Sequence, residues 1–424
     1  MGWGTVGNEN VTSNYAYTST MAPVTTVWGT GMLSGNTANP DLQWETTYSS
    51  NIGLDLNLFD NRIEFIGDVY YKETQDLLLQ LPLPAYLGSE GQGSTTPPWA
   101  NIGSLENKGI ELTLNTVNVD RGRFMWRTNL VYSLNRSKVL SLDTESSTID
   151  KTIQEGSDVT IVTRTAVDEP IGQFYGYKVI GRFNEATDFY YKDAEGNVQE
   201  VARPEGLEIS ESGVWIGDYK FKDVNGDGVI DESDRTFIGN PEPKFTFGIG
   251  NTFSYGNFDF SVFLNGSYGN DVLNYQKRWL ENPRENHNLL TSALDYARVE
   301  QIDPDGPVDI RNTHITGGDP MMPRMSASSS NANNRMSDRF IEDGSFLRVQ
   351  NISLSYTLPE RWVERLFMKN VRVYTNLKNV YTFTEYTGYD PEVGSFNQDA
   401  LMTGIDNARY PSPTIYTFGV NVTF

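Results

Sequence analysis

The chain has no cysteine, so disulfides, cysteine-ligated zinc and thiol chemistry are all excluded. It has two histidines, His287 and His314, both in polar surroundings and without metal-ligand spacing. Both read as surface residues. Basic residues are outnumbered, 33 against 55 acidic, for a formal charge of -22 over 424 residues. That balance argues against nucleic acid or any anionic polymer as partner. No stretch approaches the ~20 consecutive apolar residues that a membrane helix requires. The opening "MGWGTVGNEN" has neither the basic region nor the apolar core of a signal peptide. Catalytic signatures are missing as well. There is no Gly-x-Ser-x-Gly elbow, phosphate loop or His-x-x-x-His, and an acidic pair is expected by chance in so acidic a chain.

Alternation of apolar and polar residues is abundant. In "NIGLDLNLFDNRIEFIGDVYYK", Ile52, Leu54, Leu56 and Leu58 alternate with Asn51, Gly53, Asp55 and Asn57. "FDN" then turns the chain, and Ile63, Phe65, Val69 and Tyr71 continue the apolar face. This is period two with a hairpin signal at its centre. "GIELTLNTVNVDRGRFMWRTNLVYSLN" repeats the pattern with a turn near 120–122, and "PKFTFGIGNTFSYGNFDFSVFLNGSYG" repeats it with a turn at Gly256-Asn257. "FLRVQNISLSYTL", "VRVYTNLKNVYTF" and the terminal "IYTFGVNVTF" follow. Weaker candidates are "DVTIVTRTA" near 158–166 and "IGQFYGYKVIGRF" at 171–183. The total is about eleven strands, several much longer than the ~5–6 residues usual in soluble sheets.

Two architectures give this alternation. In a sandwich the apolar face meets a second sheet; in a membrane barrel it meets lipid while the polar face lines a lumen. Strand length favours the barrel. So does the asymmetry between tight turns (59–61, 120–122, 256–257) and long connections (about 81–105, 184–242, 270–344 and 385–411). Trp44, Tyr70, Tyr71 and Trp126 lie where strands meet loops, as interfacial girdles would. The barrel reading puts Val422, Val420, Phe418, Leu377, Val373, Phe260, Val262, Leu54 and Leu56 against lipid. Counting back from Phe424 puts the tight turns at one end and the long loops at the other. "PERWVERLF" at 359–367 reads as a short helix at the tight-turn end, packing through Trp362, Val363, Leu366 and Phe367.

"DVNGDGVIDESD" has calcium-loop spacing. Asp223, Asn225 and Asp227 stand at positions 1, 3 and 5, with Gly228 at 6, where the chain turns sharply. Val229 offers a carbonyl at 7, Asp231 stands at 9, and Asp234 replaces the usual Glu at 12. Hard oxygen ligands at these spacings suit Ca²⁺, here as a structural ion in a loop. The alternative is an acidic turn held by Asn-Gly and Asp-Gly geometry.

The segments 39–79, 101–115, 170–183 and 218–274, with "RFIEDGSFLRVQNISLSYTLP", "VRVYTNLKNVYTFTEYTGYDPE" and the final Phe424, resemble the C-terminal barrel region of the SusC/RagA-like TonB-dependent outer-membrane transporters of Bacteroidetes. They run in family order over nearly the whole chain. The resemblance implies an all-β fold: the C-terminal half of a 22-stranded antiparallel barrel, without its plug. The partners it implies are the N-terminal half with plug and first strands, a SusD-like surface lipoprotein, the TonB complex, the bilayer, and an oligosaccharide or peptide cargo. Trp99, Trp215, Trp279 and Tyr389, in expected outer loops, are candidate sugar platforms. The rival reading is a calcium-dependent soluble β-sandwich binding module.

Overall fold

The computed structural model describes residues 1–9, 15–80, 98–142, 147–155, 158–193, 195–282, 287–326 and 331–424. Ten strands form one continuous antiparallel sheet, in chain order from edge to edge. They are β1 (Gly2–Asn8), β2 (Glu45–Leu58), β3 (Ile63–Gln75), β4 (Ser104–Arg121), β5 (Phe124–Ser141), β6 (Phe245–Tyr255), β7 (Phe258–Tyr268), β8 (Phe346–Thr357), β9 (Asn370–Thr384) and β10 (Ile415–Thr423). Every strand therefore pairs with its sequence neighbour along the sheet. Among the described residues, β1 and β10 each leave one edge unpaired.

Two adjustments to the sequence reading follow. The opening residues form a full strand, Gly2 pairing with Asn51 and Asn8 with Glu45. The weaker candidates leave the main sheet. Asp158–Ala166 pairs with Thr148–Glu155 and Gln173–Gly176 in a separate four-stranded sheet, and Val179–Arg182 pairs with Tyr219–Phe221. The main sheet thus has ten strands where eleven were expected.

The tight ends are built by left-handed backbone. Phe59, Asp60 and Asn61 have φ of 55°, 55° and 62°, and Gly122 and Gly256 have φ of 58° and 60°. These turns and the connection 358–369 lie at one end of the sheet. The connections 9–44, 76–103, 142–244, 269–345 and 385–414 lie at the other. The first of these, and the stretch 142–183, extend the set read from the sequence.

Register aligns the apolar residues into cross-strand rows. Leu56 pairs with Phe65, Phe65 with Leu114, Leu114 with Leu130, Leu130 with Ile249 and Ile249 with Leu264. Farther along, Val262, Ile352, Leu377 and Tyr416 form another row. All nine residues expected against lipid lie on this face. It is bare: Leu54 is 53% exposed and Phe418 78%. No second sheet covers it among the described residues, which overturns the sandwich alternative.

The opposite face is the inner one, because the long connections fold over it. Glu242 accepts from the Ser137 amide (3.0 Å) and from the Asn135 side chain (3.0 Å). Aromatic rings cluster toward both ends of the bare face. Trp126 stacks on Phe253 (5.6 Å) near the tight turns, and Tyr132 and Tyr268 flank Phe245 (5.4 and 5.2 Å) near the long loops. Tyr70 is corrected: its ring points inward over Gly109, and its hydroxyl reaches Asn135 at 2.9 Å. Trp44, just before β2, is exposed.

The core of this molecule is not in the barrel wall. Of the buried apolar side chains, only Val139, Phe346 and Val371 belong to the ten strands. Apart from Val363, in the connection 358–369, the rest lie in the long connections, most of them building a cap. One cluster joins Val162, Phe174, Leu273, Tyr275, Phe340 and Ile405. Another joins Phe183, Phe189, Val214, Trp215, Ile216 and Ile310. A wall facing lipid needs no dry interior, whereas loops facing water must bury their own apolar groups.

The segment 359–367 forms a helical turn at Glu360–Val363 continued by a 3₁₀ turn. Only part of the expected stripe packs. Val363 is buried, while Trp362 and Phe367 are exposed and the side chain of Leu366 lies outside the described residues.

Candidate functional site: the capped mouth of the barrel

The cap is tied to the inner wall through the connection 385–414. Arg348, on the inward face of β8, is 3% exposed. Its Nε donates to Thr382 Oγ1 at 2.9 Å, and its two terminal nitrogens bond Glu392 and Asp390. One guanidinium thereby holds two carboxylates of the strap, a geometry suited to its planar fork. Asp390 also accepts from the amides of Glu392 (3.0 Å) and Ser412 (3.1 Å). Burial raises its carboxyl, but those amides and Arg348 outweigh it and hold the group below the ordinary carboxylate value.

Farther along, Glu342 accepts from the Thr387 amide (2.8 Å) and from Lys277 (3.1 Å). Burial opposes this charge too, and the bonds from Thr387 and Lys277 leave its pKa lowered. Tyr386 donates to Asp406 at 2.6 Å, and burial followed by that carboxylate pushes the phenol pKa up. Leu401 O accepts from Thr163 Oγ1 (2.8 Å), and Asp399 pairs with Lys151 (2.8 Å). The strap thus spans from barrel wall to cap sheet.

Two cavities open in the cap and share Glu281 and Arg339. The smaller, about 430 Å³, is rimmed by the ion pairs Arg278–Glu155 (2.7 Å) and Arg339–Glu281, and by Arg324, which is held from behind by the buried Asp218 (2.8 Å). The larger, about 820 Å³, sets Ile180, Leu290, Met321 and Met322 against Lys277 and Asp295. Such mixed surfaces suit a polar solute with apolar parts.

The four candidate platforms are not brought together. Trp215 is 4% exposed and packs the cap core, so it holds its own loop and offers no face to a solute. Trp279 borders the smaller cavity, and its carbonyl contacts His287 Nε2 at 2.9 Å. Trp99 is half-buried in a two-stranded pairing opposite Gln80, and Tyr389 is 74% exposed. Arg348 and its strap went unremarked in the sequence. Its partners stand 42 and 44 residues away, and nothing local signals such a pairing.

The acidic loop closes on its own backbone. Asp223 accepts from the amides of Gly226 (2.6 Å) and Gly228 (2.9 Å), and Asn225 from Asp227 (3.1 Å). Asp227 accepts from Val229 (2.9 Å) and Asp231 from Ser233 (2.7 Å). Asp234 is fully buried and takes the amides of Val224 (2.7 Å) and Asp231 (2.9 Å). Among the described residues, no three acidic or histidine side chains converge on one point. The donor set has calcium chemistry, but its oxygens serve here as turn caps.

An antiparallel sheet of long strands, bare and apolar outside, polar inside and capped at one end, has the make-up of an outer-membrane β-barrel wall. The family model for the TonB dependent receptor-like β-barrel matches residues 2–219. TonB-dependent receptor P3 of Formosa agariphila is 32% identical over 432 residues, covering 100% of this chain and 39% of the relative. TonB-dependent receptor SusC of Bacteroides thetaiotaomicron is 28% identical over 437 residues, covering 100% of this chain and 37% of the relative. Among solved structures, the RagAB peptide transporter superposes with a TM-score of 0.72 at 20% identity, covering 100% of this chain and 40% of that one. The chain belongs to the TonB-dependent receptor family, in its SusC/RagA-like branch. Its location is the outer membrane of a Bacteroidetes-type Gram-negative bacterium. It spans about two fifths of the length of the relatives it matches.

Proposed function

We propose that this chain is the C-terminal half of a 22-stranded, TonB-dependent importer of oligosaccharides or peptides. Its cargo enters through the capped mouth. A SusD-like surface lipoprotein closes over the cap, and the TonB complex acts through an N-terminal plug. The observation carrying this reading is the sheet itself: ten in-order strands with a bare apolar outside, a polar inside and, among the described residues, an unpaired edge at either side. Open edges do not persist in hydrocarbon, so the first strands of the same barrel are the natural mates of β1 and β10. The ion pairs Arg278–Glu155, Arg324–Asp218, Arg339–Glu281 and Arg348–Asp390 serve to hold the cap.

The test is uptake by cells carrying the complete receptor, with and without an energised inner membrane. Import of an oligosaccharide or oligopeptide that stops when TonB is removed is the expected result. Import indifferent to TonB would refute the reading. Residues 1–424 made alone should aggregate and be rescued by co-expression of an N-terminal half. A compact, heat-modifiable, protease-resistant monomer from this chain alone would overturn the half-barrel assignment.

Calcium at Asp223, Asn225, Asp227, Val229, Asp231 and Asp234 stands as a second, separate proposal, supported by their spacing. The ion would clip the loop from outside, adding charge compensation to an acidic turn that already forms without it.

A further inference from the structure

The inward face is polar along most of its length, yet aromatic rings interrupt it. Tyr70, Phe263 and Tyr374 each lie over a glycine of a neighbouring strand: Gly109, Gly248 and Gly419. A side chain at Gly248 would come within 3.1 Å of the Phe263 ring and 2.7 Å of Val131. At Gly250 the ring would still be only 3.6 Å away. The missing side chains of "GIG" let Phe263 lie flat along the wall. A ring over glycine also serves packing, since it covers exposed backbone. Tyr70 does that while anchoring its hydroxyl on Asn135. Phe263 has no polar handle, is half-buried, and borders a cavity of about 730 Å³ between the wall and the strap.

The groups around that ring are neutral and able to hydrogen-bond. Thr246 and Ser133 face each other across β5 and β6 and line the cavity with Asn265. Asn265 Oδ1 is buried and has no hydrogen-bond partner among the described residues. A buried acceptor left unpaired costs about 1–3 kcal/mol, so this one favours a donor that arrives from elsewhere. The charged residues on the lining are two carboxylates, Glu111 and Glu392, and the nearby cation, Arg348 opposite Asn265, is already taken by Glu392 and Asp390. An anionic sugar is therefore disfavoured.

We infer that Phe263 and Asn265 form a binding subsite on the inner wall for a neutral pyranose ring of an oligosaccharide cargo. The sugar's apolar C–H face lies on the Phe263 ring, and a hydroxyl donates to Asn265 Oδ1. The wall places this subsite below the strap, so cargo meets it after passing the cap. The flat ring beside hydroxyl and amide groups favours a sugar over a peptide. The inference rests on the import reading and selects one of its two cargo classes.

The experiment uses the complete receptor, purified with its partner lipoprotein. Neutral gluco-, manno-, galacto- and xylo-oligosaccharides are titrated by calorimetry, with mixed oligopeptides in parallel. At least one sugar series should bind. Phe263→Ala should weaken it about tenfold, while Phe263→Trp keeps the affinity near that of the native receptor. Asn265→Leu should weaken the same sugar, and heat-modifiable migration should show that every variant is folded. Binding by no sugar, binding by oligopeptides alone, or an Ala variant with native affinity would each overturn the subsite. TonB-dependent uptake in cells separates this failure from failure of the import reading. Uptake unaffected by Phe263→Ala removes the subsite and leaves import standing, whereas absent TonB-dependent uptake removes import itself.

Discussion

Leu130 and Asn129 are neighbours in β5 at the same depth and on opposite faces. Leu130 lies in an all-apolar row between Leu114 and Ile249, and it is 36% exposed. Asn129 points inward, where its amide donates to Asn115 at 2.7 Å. Leu130 is six residues beyond Phe124, the first residue of β5. At ~3.3 Å per residue and a tilt of about 40°, that is roughly 15 Å above the turn, near the middle of a ~25 Å apolar band. Arginine there should cost about 2–4 kcal/mol. Asn129→Arg removes one side-chain hydrogen bond into a wet lumen, a loss of about 1 kcal/mol. Leu130 is a cleaner choice than Val262, whose cross-strand neighbour is Asn251. Asn251 belongs to a hydrogen-bonded chain on the bare face with Thr128 (2.7 Å), Asn118, Thr116 and the Trp126 indole (2.9 Å), and it could receive a new guanidinium. The assay is denaturant titration of the complete receptor refolded into lipid vesicles, following heat-modifiable migration. A destabilisation at Leu130 exceeding that at Asn129 by about 1–3 kcal/mol is expected. Equal costs, or a larger cost at Asn129, would refute the assignment of faces.

Arg348→Met should release the strap from the wall at a cost of about 3 kcal/mol, most of it from Asp390, because the Glu392 side chain is 55% exposed. Hydrogen exchange across 385–414 reads this, and unchanged protection would count against the clamp. Acid should loosen the same strap. Asp390 and Glu342 have folded pKa values below their unfolded ones, so their stabilisation is present above the ordinary carboxylate value of about 4 and is lost as pH falls through the folded values. Asp338, raised by burial, works in the opposite sense, so the measurement must be local to the strap. Strap exchange flat from pH 6 to pH 3 would contradict the linkage. Asp234→Ala should loosen 223–234 with or without calcium, because two amides lose their acceptor. Asp227→Ala tests the ion: calorimetry should show calcium heat in the native receptor and its loss in the variant, and no heat in either leaves a plain acidic turn.

Much of this protein is written locally. Ile52 to Leu58, Ile110 to Leu114 and Phe258 to Leu264 declare strands by alternation, and Asp60-Asn61, Gly122 and Gly256 declare where they reverse. Side-chain direction in a strand repeats every two residues whatever lies beside it, so parity counted from Phe424 sorts the tight turns from the long loops. Membership of a sheet is not local. Asp158–Ala166 alternates as Phe258–Tyr268 does, but it joins the cap because its mates, 148–155 and 173–176, are cap strands. Tyr70 and Tyr71 are adjacent and chemically alike; alternation sends them to opposite faces, and only register with β4 sets Gly109 under the inward ring. Trp215 looks like an exposed loop aromatic until the cap closes around it. Arg348, its two carboxylates and the flat ring of Phe263 depend on segments distant in sequence meeting at one place on the wall. Period and turn chemistry act over two to four residues and are legible in one dimension; burial, pairing and the capture of a charge need the third.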